Sequence, residues 1–453
     1  MLHQYQLNGY NIILDVNSGA VHVVDELAYR LAQMLEPPLS DSCPDQITEQ
    51  LMPDFDKASI QETYQELFAL YQQGQLFSVD DYEKFSNILS ESPVKAMCLH
   101  IAHDCNLRCK YCFADTGEYM GHRELMSFET GRAAIDYLLH YSKGRRNLEV
   151  DFFGGEPLMN FEVVKQIVAY ARSKEKEYGK VFRFTITTNG LLLDDNKIDF
   201  INQEMSNVVL SLDGRKEIND RVRVRVDGKG SYDSIVPKYK RLVEKRTGPY
   251  DQYYVRGTFT KYNLDFAEDV LHLNDLGFDQ ISVEPVVADP KESYALTEQD
   301  LPQIFAEYEQ LAKILIERQG TPKDFNFFHF MIDLDQGPCA IKRLRGCGCG
   351  NEYVAITPSG DVYPCHQFVG HENWKMGNVY DLSLNSEMKQ QFASATVYGK
   401  EDCKNCWAKF YCSGGCNANS MLYAGDIRKS HHLSCELEKK RVECAIMIKA
   451  AQF

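Results

Sequence analysis

Short, nearly continuous apolar runs alternate with amphipathic stretches through the middle of the chain. Six runs predict strands: MCLHIA (97–102), LEVDFF (148–153), FRFTITT (182–188), VVLSLD (208–213), YYVRGTFT (253–260) and ISVEPVV (281–287). Helical patterns such as GRAAIDYLLHY and IFAEYEQLAKILIERQ lie between or after them. This alternation predicts a parallel sheet covered by helices, specifically an α/β fold with a partial (β/α)6 barrel. In such barrels the chemistry lies at the carboxyl ends of the strands.

The first 90 residues have a different pattern and predict a small separate unit. Residues 11–24 read NIILDVNSGAVHVV, two β-branched runs around a turn, which predicts a hairpin. Apolar residues then recur at helical spacing over residues 25–35, with Asp25 as the N-cap, and a second amphipathic helix ends near Gly74. This order predicts a winged-helix-like module. The alternative is an N-terminal decoration that only packs against the rest.

The regular alternation stops after about residue 335. Short, turn-rich segments such as RGCGCGNE and CWAKFYCSGGCNAN follow, and they hold most of the remaining cysteines. A segment with so little apolar periodicity cannot rest on a core of its own, so metal crosslinks are the expected source of its stability. The predicted organisation is therefore 1–90, 91–320 for the barrel, and 321–453 for a bridging segment with a cysteine-rich domain.

Composition excludes several classes of function. The 453 residues contain no apolar run of about 18, so no membrane-spanning helix is expected. The N-terminus lacks a basic start followed by an apolar core, so no secretory signal is expected and the protein is placed in the cytoplasm. The net charge of −16 argues against binding to the phosphate backbone of nucleic acid as the main task, and no membrane partner is expected. It would suit a basic peptide partner.

Cysteine usage is the unusual feature of the composition. Of the 15 cysteines, three groups account for all but Cys43, Cys98 and Cys444, which are expected to be packed apolar thiols. In a cytosolic chain such grouping favours metal binding over disulfides. The groups are Cys105, Cys109 and Cys112; Cys339, Cys347, Cys349 and Cys365; and Cys403, Cys406, Cys412, Cys416 and Cys435.

The first group lies just after the first predicted strand, in the stretch CNLRCKYC. Three thiolates from one loop can hold three irons of a 4Fe–4S cube and leave the fourth iron without a protein ligand. A zinc site would need four ligands, usually as a CxxC pair with a partner pair elsewhere, and a structural zinc knuckle is the alternative. The CxxxCxxC spacing in this position resembles the radical S-adenosylmethionine superfamily.

The resemblance extends to strand ends farther along the chain. Gly154, Gly155, Glu156 and Pro157 match the GGEP segment of that superfamily, where the backbone and Glu156 would meet the methionine amino group. The resemblance implies further cofactor contacts, each of which could instead be a strand-end cap or a loop residue: Thr188, Asn189, Ser211, Asp213 and Arg223. It also places Tyr111 as the aromatic residue that shields the cluster.

The resemblance implies a definite chemistry. The methionine amine and carboxylate chelate the open iron, an electron enters the cluster, and the sulfonium carbon–sulfur bond breaks. The resulting 5′-deoxyadenosyl radical removes hydrogen from an unactivated carbon. The cofactor carries this chemistry, and the protein supplies position and a dry site.

The C-terminal cysteines resemble the SPASM extension of the same superfamily. The spacing is C-x2-C-x5-C-x3-C from Cys403 to Cys416, and Gly360 precedes Cys365 by five residues. By position, two auxiliary 4Fe–4S clusters are implied. A distal one is held by Cys403, Cys406, Cys412 and Cys435, and a nearer one by Cys347, Cys365 and Cys416. The fourth ligand of the nearer cluster is left open between Cys339, Cys349, a substrate thiolate and none. A redox-inactive zinc ribbon is the alternative.

The whole chain resembles maturases of the SCIFF peptide, a short cysteine-rich precursor. The stretches that show this resemblance are LHIAHDCNLRCKYCFA, CGCGNEYVAITPSGDVYPCHQFVG and CSGGCNAN. The resemblance implies a thioether between a peptide cysteine and a threonine of the same peptide, a leader bound as an added strand on the N-terminal module, and a reducing donor such as ferredoxin or flavodoxin. Sulfatase maturases share the SPASM region but usually carry aspartate where this chain has His366. Formylglycine formation, another crosslink, or a non-catalytic iron–sulfur electron carrier are the alternatives.

Overall fold

The computed structural model describes residues 1–86, 92–119, 121, 123–248, 251–334 and 343–452. Across these ranges, no helix has both the length and the apolar character needed to cross a bilayer. All six predicted strands are present and form the centre of a ten-stranded sheet. They are β4 (Ala96–Ala102), β6 (Asn147–Gly154), β7 (Val181–Thr188), β8 (Met205–Ser211), β10 (Gln252–Phe259) and β11 (Gln280–Pro285).

These six strands run parallel and neighbour one another in chain order, as a partial barrel requires. The sheet is nevertheless mixed and open, because it continues beyond the predicted six on both sides. The additional strands are β12 (Asn326–Phe327), β13 (Tyr353–Ile356), β14 (Asp361–Tyr363) and β15 (Gly377–Asn378). The predicted partial barrel is therefore corrected to an open, mixed sheet, whereas the predicted domain bounds stay a prediction.

Helices cover the sheet as the alternating pattern predicted. Burial of apolar residues such as Ile135, Val164 and Leu311 on these helices closes the core against the strands. The helices are α4 (Phe128–Tyr141), α5 (Phe161–Tyr178), α6 (Asp195–Glu204), α7 (Lys216–Val222), α8 (Tyr232–Glu244), α9 (Phe266–Asp275) and α10 (Leu301–Arg318).

The cysteine-rich segment packs into the core that surrounds the large sheet. Strand β13 pairs in parallel with β4, and the last helix packs along α10 with Leu437 and Val442 buried. Metal crosslinks are therefore not its sole anchor, contrary to the expectation from its weak periodicity. Its helices are α11 (Ser386–Ser394), α12 (Glu401–Lys404), α13 (Lys409–Cys412), α14 (Asn417–Ala424) and α15 (His432–Ala450).

The N-terminal module is a three-stranded antiparallel sheet followed by three helices. The predicted hairpin is present, and the Asp25 carboxylate caps the first helix by accepting from the Ala28 backbone N–H. The sequence did not predict the first strand or the middle helix, and no observation confirms the winged-helix assignment. The elements are β1 (Leu2–Leu7), β2 (Tyr10–Asp15), β3 (Val21–Val24), α1 (Glu26–Met34), α2 (Asp45–Leu51) and α3 (Lys57–Gln72).

Both faces of this small sheet carry buried apolar side chains. Ile13 packs with the helices of the module, whereas Tyr5, Ile12 and Leu14 belong to the same apolar core as the large sheet. The ring of His3 stacks on Trp407 at 3.6 Å, next to Cys406. The module is therefore fixed to the cysteine-rich segment by packing.

Candidate functional site

The loop cysteines Cys105, Cys109 and Cys112 follow β4 and line one cavity of about 150 Å³. A short strand, β5 (Leu107–Cys109), pairs antiparallel with β9 (Arg223–Arg225), so that Cys109 lies opposite Arg223. The Lys110 N–H donates to the Val222 carbonyl at 3.0 Å and continues this pairing. The loop is thus held at the carboxyl ends of the parallel strands, where the sequence placed it.

The environment of these thiols suits a bound cluster. Burial raises the pKa of Cys105 and of Cys109 to about 12, so each thiol stays protonated unless a cation stabilises the thiolate. Within the described residues, no three His, Cys, Asp or Glu side chains converge on a point that could hold a single metal ion. A 4Fe–4S cube instead takes one thiolate per iron, so its ligands stand apart around it. The three cysteines fit that group.

Two glycines of GGEP are required by a close approach of backbones. A Cβ on Gly155 would lie 2.1 Å from the Asp104 carbonyl oxygen, and one on Gly154, at φ +124°, would lie 2.4 Å from that of Ala102. The Glu156 N–H donates to the Asp104 carbonyl at 2.9 Å. The end of β6 is thereby pressed against the residues that lead into the cysteine loop.

The Glu156 carboxylate joins two strand ends. It accepts from the Thr188 hydroxyl at 2.8 Å and from the Asn189 backbone N–H at 2.8 Å. The Asn189 side chain in turn donates to the Asn106 oxygen at 2.8 Å, inside the cysteine loop. Burial raises the pKa of Glu156 to about 7. Pro157, which is buried, begins a turn directly after it.

A second network lies on the other side of the loop. The Tyr111 hydroxyl donates to both Asp213 oxygens, at 2.7 and 2.9 Å, and the Arg223 Nε donates to Asp213 at 3.0 Å. Asp213 is fully buried and does not line the cavity, so it positions Tyr111 and Arg223, which do. Ser211 also lines the cavity. The structure thus gathers the predicted cofactor contacts around one cavity, although their individual roles stay predictions.

The distal cysteines Cys403, Cys406, Cys412 and Cys435 also come together. All four line a second cavity, of about 760 Å³. Burial, the charge of Glu438 and the neighbouring thiols of Cys435, Cys403 and Cys406 together raise the pKa of Cys412 to about 12. The four side chains therefore share one environment that suits a second cluster.

The near cysteines comprise Cys347, Cys365, Cys416 and also Cys349. The Cys416 thiol lies close enough to those of Cys347 and Cys365 to interact with them electrostatically. Cys349, which the sequence left as one of several options, is buried and hydrogen-bonds to Cys365. Cys339 lies outside the described residues. The three leftover cysteines, Cys43, Cys98 and Cys444, are buried, as predicted.

The sequence reasoning missed three polar residues in or beside the second cavity, namely Arg256, His329 and Arg441. Arg256 on β10 pairs with Glu284 on β11 at 2.6 Å. Burial lowers the pKa of His329 to about 3, and its neutral ring accepts from Arg441 at 2.9 Å through Nδ1. Alternation along the two strands could have found the Arg256–Glu284 pair, since both side chains belong to the same face.

His366 comes from the cysteine-rich segment and packs against the side of the sheet that carries the cysteine loop. Its ring centroid lies 5.3 Å from that of Phe113, next to the cysteine loop, and 5.2 Å from that of Phe153 on β6. Burial lowers its pKa to about 4, so the ring is neutral near pH 7. It carries no charge where sulfatase maturases usually place a carboxylate.

Two family models match this chain. The radical SAM superfamily model matches residues 99–280, and that of the SPASM iron–sulfur cluster-binding domain matches residues 347–407. The two matches cover the cysteine loop with its strand ends and most of the C-terminal cysteines. Together the domains imply 4Fe–4S clusters and S-adenosylmethionine as cofactors.

Known proteins resemble most of the chain. A cysteine-type anaerobic sulfatase-maturating enzyme of Clostridium novyi is 26% identical, over 70% of this chain and 86% of its own. The radical SAM cyclopropyl synthase TigE of Paramaledivibacter caminithermalis is 22% identical, over 84% and 80%. The solved structure of native anSMEcpe with bound AdoMet shares the fold, with a TM-score of 0.62, 20% identity, and coverage of 80% and 99%. The chain therefore combines a radical SAM domain with a SPASM iron–sulfur cluster-binding domain.

Proposed function

We propose that this chain is a radical S-adenosylmethionine enzyme that forms intramolecular Cys-to-Thr thioether crosslinks in a ribosomally made, cysteine-rich precursor peptide. The observation that carries the proposal is the convergence of the three loop cysteines with Glu156 and Asn189 on one cavity at the strand ends. The relatives that are named as acting on sulfatases support a peptide or protein substrate.

The residues of the chain have distinct tasks in this proposal. Cys105, Cys109 and Cys112 hold the cluster, and Tyr111, fixed by Asp213, covers it. When bound, the cluster and S-adenosylmethionine supply the abstraction of a hydrogen atom from an unactivated carbon. The strand-end groups around Glu156 orient the methionine end of the cofactor. Burial of the site keeps water away from the reacting carbon.

In this proposal the peptide binds beside the distal cluster, at the polar wall of the second cavity. Glu284 and His329 supply polar groups to this wall, and Glu284 pairs with Arg256 at 2.6 Å. The outer edge of β3 in the N-terminal sheet supports binding of a leader segment as an added strand. The product of one crosslink has two hydrogens fewer than the unmodified peptide.

Co-expression under anaerobic conditions tests this proposal. A cysteine-rich peptide encoded beside the gene is produced with the enzyme, alkylated at its free thiols and analysed by mass spectrometry. We expect a loss of two hydrogens per link, one cysteine that resists alkylation, and fragmentation that locates the bond to threonine. An unmodified peptide beside active cofactor cleavage would refute the substrate assignment.

Formylglycine formation is the second candidate function. The 26% identity to a sulfatase-maturating enzyme over 86% of that protein's length favours it. The neutral His366, at the position where such enzymes usually carry aspartate, opposes it. A product that reacts with a hydrazide probe for aldehydes would establish this function in place of the thioether.

A further inference from the structure

The strand pair β5–β9 carries a concentration of positive charge on an acidic protein. We define the basic hairpin surface as Arg108, Lys110, Arg221, Arg225 and Lys229, all of them exposed or half-exposed. Segments 105–112 and 221–230 contain a single acidic residue, Asp227, whereas the whole chain has a net charge of −16. Such a reversal of sign over a small area concentrates the electrostatic field there.

Most of this charge is not neutralised within the molecule. Asp227 lies 3.5 Å from Arg225 and 3.9 Å from Lys229. The carboxylate of Asp220 lies against Gly230, and Glu118 interacts electrostatically with Arg108. Arg108 donates to the carbonyls of Cys105 and Leu107, and Arg221 stacks on the Tyr262 ring at 3.7 Å. Among the ion pairs of the described residues, none involves Arg108, Lys110 or Arg221. The charge is therefore available to a partner.

The surface also lies directly outside the cysteine loop. Arg108 and Lys110 flank Cys109, and Cys109 pairs in register with Arg223 on β9. One apolar side chain, Val226, lies in the turn between Arg225 and Lys229 and is 64% exposed. Phe113, which follows Cys112 in the cysteine loop, is 54% exposed. Small contacts of this kind, charged around an apolar spot, are typical of transient electron-transfer complexes.

We propose that the basic hairpin surface docks an acidic one-electron donor protein that reduces the cluster at Cys105, Cys109 and Cys112. The inference rests on the proposed function, which requires an electron at that cluster. The donor loses one electron and the cluster gains one, and no bond or proton changes in this step. Opposite charge steers the donor to the part of the protein surface that covers the cluster ligands, which shortens the path of the electron.

The test compares two double variants of the cluster-loaded protein. Arg225→Glu with Lys229→Glu reverses two charges on the surface. The control, Arg241→Glu with Lys245→Glu, reverses two exposed charges at the end of α8 and directly after it, each also paired with one aspartate, and causes the same change in net charge. The probe is a purified, FMN-loaded bacterial flavodoxin of negative net charge.

Binding is measured by surface plasmon resonance with both proteins oxidised, and cluster reduction by anaerobic stopped-flow absorbance. We expect the hairpin variant to bind about tenfold more weakly and to be reduced correspondingly more slowly by reduced flavodoxin, while the control matches the parent protein. Dithionite, a small reductant that needs no docking, should reduce all three proteins equally.

Equal flavodoxin binding by the two variants would overturn the inference. Loss of cysteine-rich peptide binding with unchanged flavodoxin binding would also overturn it and would assign the surface to the substrate. Failure of dithionite-reduced parent protein to cleave S-adenosylmethionine would instead refute the proposed function, so the two failures are distinguishable.

Discussion

The loop thiols lie where an isolated thiolate is unfavourable. Burial raises the pKa of Cys105 and Cys109 to about 12, and a bound iron ion removes this penalty by stabilising the thiolate. Deprotonation and cluster loading are therefore coupled at this loop. Asn189 adds a contact to the same place, because its side chain lies 3.6 Å from the Cys105 sulfur.

Cys105→Ala should abolish S-adenosylmethionine cleavage and leave the auxiliary clusters in place. The variant removes one of three ligands from the loop but none from the distal or near cysteines. Liquid chromatography of 5′-deoxyadenosine and the visible absorption spectrum measure the two properties. Cys43→Ala is the control, since Cys43 is a buried thiol of the N-terminal module. Retained cleavage in Cys105→Ala would contradict the three-cysteine assignment.

Cys349→Ala should lower the iron content of the near cluster, because Cys349 contacts Cys365 and completes a set of four thiols. The expected loss is up to about four irons per chain, and the iron assay is read beside electron paramagnetic resonance of the reduced protein. Cys98→Ala, another buried thiol at the sheet, is the control. Unchanged iron content and an unchanged spectrum would show that Cys349 is not the fourth ligand of the near cluster, which would leave Cys339, a substrate thiol or no ligand.

The buried carboxyl group of Asp151 on β6 should make the free energy of unfolding depend on pH. Burial raises its pKa to about 7, whereas in the unfolded chain it ionises near pH 4. As pH rises between these values the unfolded chain loses the proton first, so the residue destabilises the fold increasingly until about pH 7. Asp151→Asn removes the effect.

The gain in stability from Asp151→Asn should therefore be larger at pH 7 than at pH 4.5, by on the order of 2 kcal/mol. Thermal melting of the variant and the parent protein at the two pH values measures it. A gain that is the same at both values, or larger at the acidic one, would show that Asp151 ionises normally.

At the scale of elements, β3 forms one edge of the N-terminal sheet. Strand β3 pairs antiparallel with β2, and Val23 lies opposite Ile12. Next to this ladder, the Asp15 N–H donates to the Ala20 carbonyl, so Asp15 and Ala20 form a hydrogen-bonded pair. Hydrogen-bonded and non-hydrogen-bonded pairs alternate along an antiparallel ladder, so Val23 and Ile12 form a non-hydrogen-bonded pair. The N–H of Val23 therefore points away from β2. Val23 is 46% exposed. A leader peptide that adds to β3 would use this donor.

Val23→Pro should weaken leader-peptide binding by about tenfold or more, because proline removes the outward donor without breaking a bond to β2. Isothermal titration measures the binding, and S-adenosylmethionine cleavage without peptide should not change. Val23→Ala keeps the N–H and should bind nearly as well as the parent protein. Deleting residues 1–85 is a less specific test, because the module shares a core with the large sheet. Equal binding by both variants would exclude strand addition at this edge.

The elements show where sequence reasoning succeeds and where it stops. The six central strands and the hairpin have strong local patterns, and the structure confirms them. Strand β1 reads LHQYQL, with few apolar residues, and is stabilised by packing of Tyr5 and Leu7 in a core that other segments build. Strand β13 pairs with β4 across more than 250 residues, which no local pattern encodes.

At the scale of the whole molecule, the sheet joins the radical SAM domain and the cysteine-rich segment into one framework. The cavity at the loop cysteines and the cavity at the distal cysteines thus keep a fixed relation, with His366 beside the first and Glu284 in the wall of the second. The motif spacings were sufficient to predict the three cysteine groups. The position of Cys349 beside Cys365 required the tertiary fold.

The most direct test of the account follows the hydrogen that leaves the peptide. A cysteine-rich precursor with fully deuterated threonine is turned over anaerobically, and mass spectrometry measures the isotopic content of the released 5′-deoxyadenosine. The account predicts one deuterium transferred for each thioether formed. Crosslinked peptide together with 5′-deoxyadenosine free of deuterium would contradict abstraction at threonine, and with it the proposed reaction.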